Sequence, residues 1–129
     1  MTHLTGIGFD AHKFSLNKPM HLAGLTWPEE MGIEGHSDGD VAAHAICDAL
    51  LSAANLGDLG SNFGVVDAKY AGATGSQLLS ETLVKIKAAG FVIENVAVQI
   101  VGNKPKIAAR RAEAIAAMSK ALSGAKVSV

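Results

Sequence analysis

The stretch "HSDGDVAAHAICDA", residues 36–49, limits this chain more than any other part of it. It sets His36, Asp38, Asp40, His44 and Asp48 among small apolar residues. A carboxylate or imidazole buried without a partner costs roughly several kcal/mol, the scale of a small domain's whole stability. These groups therefore face water or hold something. The spacing predicts a helix over residues 37–57, with Ser37 and Asp40 as a capping-box-like start and acidic groups where the helix dipole favours them. On a helix, residues four apart share a face, so Asp40, His44 and Asp48 line up. Ala42, Ala45, Ile46 and Ala49 pack the other side.

The rest of the chain alternates strand and helix signals. "HLTGIGFDAHKF" (3–14) reads as a strand in which Gly6 and Gly8 let something approach. "NKP" at 17–19 signals a turn, and "MHLAGLTW" (20–27) reads as the returning strand. "PEEMGIEG" (28–35) reads as a loop, and 58–75 as a long irregular connection of the kind that often carries function. Thr74 with Gln77 opens a second helix that Gly90 closes. "FVIENVAVQIV" (91–101) reads as a strand and "GNKPKI" as a loop, with Pro105 at the next helix start. Ile107, Ala114, Ile115, Met118 and Leu122 form that helix's apolar stripe, closed by Gly124, and 125–129 begins a last strand. The order is ββαβαβ. It predicts a single α+β domain over 1–129, with helices packed on one face of a mixed β-sheet.

Composition removes several function classes. The net charge of −1 offers no basic excess for a nucleic-acid backbone. No apolar run approaches the roughly 18 residues of a membrane span. The first residues lack a positive region followed by an apolar one, so no signal peptide is expected. Cys47 is the sole cysteine, which excludes an internal disulfide and suits a cytoplasmic location. Ala and Gly abound while aromatics are 5% of the chain, a core that brings backbones close and can finish its burial in an oligomer.

Chemistry collects on three residues. On a strand, i and i+2 share a face, so Asp10 and His12 stand side by side. A third imidazole or carboxylate set beside that pair makes a three-ligand site, and Asp/His/His with one open position is the pattern of a reactive zinc site. Zinc suits the nitrogen and oxygen donors, and other divalent ions can substitute. Asp40 or Asp48 is placed to orient His44 through its other ring nitrogen. A D-x-H pair also arises by chance, Asp40 also serves as a plain helix-start charge, and Asp58 also suits an ordinary turn. Lys104 and Lys106 also read as solvated charges, and His3 and His21 as histidines without a role.

"GIGFDAHKF", "GHSDGDVAAHAICDALLSAANLGDLG" and "GNKPKI" together resemble the 2-C-methyl-D-erythritol 2,4-cyclodiphosphate synthase family of the non-mevalonate isoprenoid pathway. The resemblance runs in order from Gly6 to Val129, and "VQIVGNKPKI" is similar to actinobacterial members. It implies conversion of 4-diphosphocytidyl-2-C-methyl-D-erythritol 2-phosphate to the cyclic diphosphate with release of CMP. Zn2+ is then held by Asp10, His12 and His44, and Mg2+ or Mn2+ accompanies the substrate diphosphate. His36 and Asp48 become the candidate catalytic residues. His36 and Ser37 match positions that contact substrate phosphates, and Asp58 and Gly60 match those that hold the methylerythritol hydroxyls. Gly102, Lys104, Pro105, Lys106, Ile107 and Ala108 match the loop that takes cytosine and ribose. The implied assembly is a homotrimer with active sites between subunits.

Two departures accompany the resemblance. In "NFGVVD" (62–67), Phe63 and Asp67 match, while Gly64 and Val65 replace a Pro and an Asp. The family also continues past the position of Val129 with a Thr-rich turn, a Gly/Arg-rich loop and a last helix. The resemblance therefore implies that a chain ending at Val129 binds zinc with weak or no turnover, and that appending such a tail restores activity. A zinc hydrolase using the same ligands, and a trimeric α+β binding module without metal, are the rival classes.

Overall fold

The computed structural model describes residues 2–64 and 70–129. Its architecture is α+β, as the alternation of signals predicts. β1 (Phe14–Leu22) and β2 (Leu25–Ile33) form an antiparallel hairpin. α1 (Val41–Ala53), the short α2 (Leu59–Phe63) and α3 (Gly75–Ala88) follow. β3 (Asn95–Ala97) precedes a 3-10 turn (Ile107–Arg110), α4 (Arg111–Ala121) and β4 (Lys126–Ser128).

The hairpin turns later than the sequence suggests. Its turn is Ala23–Gly24, both at positive φ (56° and 77°), the conformation that two-residue hairpin loops require. "NKP" instead lies inside β1, where the pairing register shifts around Pro19. A proline lacks the N–H that a regular ladder would use, so it sits at an irregularity. "PEEMGI" is accordingly strand rather than loop.

The sheet is also smaller than expected. Among the described residues, the strands make two two-stranded sheets, β1–β2 antiparallel and β3–β4 parallel, rather than one mixed sheet. Of the segment 3–14 only Phe14 enters β1, and of 91–101 only Asn95–Ala97 pairs. The expected last strand forms, and Val98 N–H extends its pairing to the Ser128 carbonyl at 2.9 Å.

Helix starts follow their caps. Thr74 and Gln77 close the capping box at the head of α3. α1 begins at Val41 rather than at 37, because Asp40 is its N-cap and accepts from Ala43 N–H at 3.1 Å. The second oxygen of Asp40 accepts from Gly24 N–H, and the first also from Ala23 N–H, both at 2.8 Å. One buried carboxylate thus joins the hairpin turn to the head of α1. α1 packs on α3 and α3 on α4, around Met20, Ile46, Leu51, Leu79, Met118 and Leu122. No helix among the described residues is long and apolar enough to cross a membrane.

Candidate metal centre

Residues 6–10 are laid along α1 by their glycines. A Cβ on Gly6 would stand 2.1 Å from the Ala49 carbonyl oxygen, and one on Gly8 1.9 Å from that of Ala45. Two residues of this segment cover the rise of four helical residues, about 6 Å, so the segment is extended. Alternation then decides which side chains meet the helix. Asp10 continues the glycine face and arrives at His44, while Ile7 and Phe9 point away, 82% and 84% exposed.

Asp10, His12 and His44 converge, with one ligand atom from each lying within 4.8 Å of the others. Asp10 Oδ2 is 2.9 Å from His12 Nε2 and 3.0 Å from His44 Nδ1. The two imidazole centroids are 5.6 Å apart. The far side of each ring is also engaged. His12 Nδ1 donates to the Glu34 carbonyl, at the end of β2. His44 Nε2 is 2.9 Å from Ser37 Oγ.

These contacts define what the centre can hold. A carbonyl only accepts, so the neutral His12 ring carries its proton at Nδ1 and turns a lone pair at Nε2 toward the Asp10 carboxylate. Two lone pairs at 2.9 Å repel unless a positive centre lies between or beside them. Tetrahedral bonds of about 2.0–2.1 Å separate ligand atoms by about 3.3 Å, close to the observed spacings. Two nitrogens and one carboxylate oxygen, each aimed inward and anchored from behind, fit a divalent ion of the zinc type. Burial pushes the Asp10 carboxyl up, but the hydrogen-bonding His44 ring, the facing His12 ring and the Ala11 N–H outweigh it. Asp10 therefore ionises below the ordinary carboxylate range and is ready to ligate a cation.

The other sequence candidates divide by place. His36 is exposed, and its carbonyl accepts from Gly72 N–H at 3.5 Å. Neither Asp40 nor Asp48 orients His44: Asp40 is occupied by the hairpin turn, and Asp48 Oδ1 accepts from Leu59 N–H at 2.7 Å. Ser37 Oγ is the side chain that meets His44 Nε2, the helix starting after it and leaving its hydroxyl free of capping. Asp58 caps α2 in a reciprocal box with Ser61, and Gly60 lies in that helix's first turn. The backbone and side chain of Ser61 hold the exposed Asp58 carboxyl below its ordinary range. Phe63 is buried, edge-on to Tyr70 with the Lys85 ammonium over its face. Asp67 lies outside the described residues.

The segment 102–108 stands on another element. Gly102, Lys104, Lys106 and Ala108 are exposed, Pro105 is buried, and Ile107 opens the 3-10 turn. Arg110 ties the end of this segment to the hairpin, donating to the Thr26 carbonyl at 2.7 Å and lying 4.6 Å over the Trp27 ring. Sequence reasoning missed this anchor and the Glu34 carbonyl, and a main-chain acceptor leaves no mark in residue identity. A cavity of about 590 Å3 runs between residues 2–6, the end of α1 and residues 90–97, away from the three ligands.

Residues 3–129 match the YgbB family model. The chain belongs to the YgbB family. This YgbB chain is 57% identical over 126 residues to the 2-C-methyl-D-erythritol 2,4-cyclodiphosphate synthase of Cutibacterium acnes, covering 97% of itself and 74% of that protein. It is 52% identical over 109 residues to the synthase of the same name from Acidothermus cellulolyticus, covering 84% of itself and 68% of that protein. Among solved structures it superposes on a CDP-bound 2C-methyl-D-erythritol-2,4-cyclodiphosphate synthase with TM-score 0.81 at 30% identity, over 96% of this chain and 84% of that one. It also matches the bifunctional IspDF of Campylobacter jejuni with TM-score 0.79 at 33% identity, spanning 97% of itself and 35% of that chain.

Proposed function

We propose that this chain converts 4-diphosphocytidyl-2-C-methyl-D-erythritol 2-phosphate into 2-C-methyl-D-erythritol 2,4-cyclodiphosphate and CMP. The observation that carries the reading is the convergence of Asp10, His12 and His44 in a chain 57% identical to a synthase of that name. In the reaction, an oxygen of the substrate's 2-phosphate bonds to the β-phosphorus. The bond from that phosphorus to the oxygen bridging to the α-phosphate breaks, and the bridging oxygen leaves with CMP. No protein nucleophile is required, so the chain contributes position and charge. Asp10, His12 and His44 would hold Zn2+, which, together with Mg2+ or Mn2+ on the substrate diphosphate, would supply charge neutralisation for the transferring phosphoryl group.

His36 and Ser37, just before the head of α1, donate to phosphate oxygens, Ser37 lying against His44 of the centre. Asp58 and Gly60 receive the methylerythritol hydroxyls, and Asp48 sets where they stand through its bond to Leu59 N–H. The backbone of 102–108 reads the cytosine edge, with Lys104 and Lys106 near the phosphates. The CDP in a related structure supports a nucleotide site of this kind. The chain acts as a homotrimer whose sites join the metal centre of one subunit to the 102–108 segment of the next. Exposed Ile7, Phe9 and Val101, at 82%, 84% and 99%, support such burial between subunits. A cytoplasmic location and phosphorus–oxygen lyase chemistry belong to the same reading.

A phosphorus NMR time course tests it. Protein, substrate, zinc and magnesium should yield CMP together with a cyclic diphosphate, and a chelator should stop both. An unchanged spectrum, with this chain and with one extended by a relative's C-terminal segment, would overturn the assignment.

A further inference from the structure

We propose that Ser37 is a positioning residue for the metal ligand His44. The inference rests on the reading of Asp10, His12 and His44 as a metal centre.

The two histidines are held from behind in different ways. His12 is turned by a main-chain carbonyl, that of Glu34, which no side-chain substitution removes. His44, only 5% exposed, is turned by the Ser37 hydroxyl at 2.9 Å. That hydroxyl is itself firmly placed. Asp38, the next residue, donates its N–H to the Ala73 carbonyl at 3.1 Å and accepts from Gly75 N–H at 2.7 Å and Asp40 N–H at 3.0 Å. Gly39 follows at φ +80°, where an added Cβ would come to 2.6 Å from the Ile33 carbonyl oxygen. The link from β2 to α1 is thus tied to α3 and packed on the end of the hairpin directly after Ser37.

The direction of the hydrogen bond follows from the ring. His44 faces Asp10 and His12 with Nδ1, so ligation uses the Nδ1 lone pair and leaves the proton on Nε2. Nε2–H then donates to Ser37 Oγ. A serine hydroxyl has one proton and two lone pairs. A divalent ion held at Nδ1 would keep this tautomer, with Nε2–H directed at Ser37 Oγ.

The experiment is a zinc titration of metal-free protein against a chromophoric chelator, without substrate. S37A should bind zinc ten- to a hundredfold more weakly, the range for contacts that orient a ligand from behind. S37T, which keeps the hydroxyl, should recover most of that loss. Wild-type zinc affinity in S37A would overturn the inference while leaving the metal reading intact. A wild-type chain that takes up no zinc would overturn both. Should S37A not fold, long-range proton–nitrogen NMR of the zinc-loaded wild type decides: a proton on His44 Nε2 supports the inference, and a proton on Nδ1 refutes it.

Discussion

Gly8 lies directly against Ala45, so closely that a Cβ on the glycine would stand 1.9 Å from the alanine carbonyl oxygen. The obstacle is helix backbone and cannot swing aside. Gly8→Ala should therefore lift the segment carrying Asp10 and His12 away from His44. A destabilisation of about 1–3 kcal/mol, the usual cost of overpacking, should accompany loss of zinc affinity. Denaturant titration and chelator competition measure the two effects. Full zinc affinity in this variant would show that Asp10 and His12 reach the centre by another route.

Asp10 Oδ2 faces both imidazoles, at 2.9 and 3.0 Å. Asp10→Asn keeps the shape and removes the charge. Zinc affinity should fall by more than about a hundredfold, beyond the range set by contacts behind the ligands. His44→Ala should abolish zinc uptake in the same titration, and retention of full metal content would sink the assignment of the centre.

Asp40 is 1% exposed and accepts from Ala23, Gly24 and Ala43 N–H. Asp40→Ala removes a helix cap and leaves two further donors in the hairpin turn without their acceptor. The expected cost is roughly 3–5 kcal/mol. The shift in the urea midpoint at constant slope measures it.

Cys47 is fully buried, and burial pushes its thiol from the ordinary 9.0 up to about 12. It should not react with a thiol reagent at pH 8 until the protein unfolds. The unfolded chain ionises near 9.0 and the folded one near 12, so the folded state holds its proton longer. Its contribution to stability is complete below the first value and falls as pH rises toward the second. Cys47→Ala should remove that part of the alkaline loss in a pH series of melts.

Much of the local chemistry was legible in residue identity. Thr74 and Gln77 mark the head of α3 because capping needs only four consecutive residues. Asp10 and His12 share a face by alternation, and His44 joins them through the resemblance to known synthases. The hairpin turn was harder to read. "NKP" carries the stronger turn signal, yet the two positive-φ residues at Ala23–Gly24 take the turn because Asp40, far along the chain, holds their N–H groups.

What the sequence by itself determined is therefore the alternation of strand and helix, the cap of α3 and the donor types that meet at the centre. Spacing, caps and donor types are properties of near neighbours. The tertiary structure decided which groups stand behind those ligands. Ser37 rather than Asp40 or Asp48 meets His44, and a main-chain carbonyl meets His12. It also decided that Asp48 serves α2 and that Phe63 belongs to the core. Both outcomes depend on where separate elements pack. A hydrogen bond needs its two atoms within about 3 Å, and only packing brings residues distant in the chain to that range.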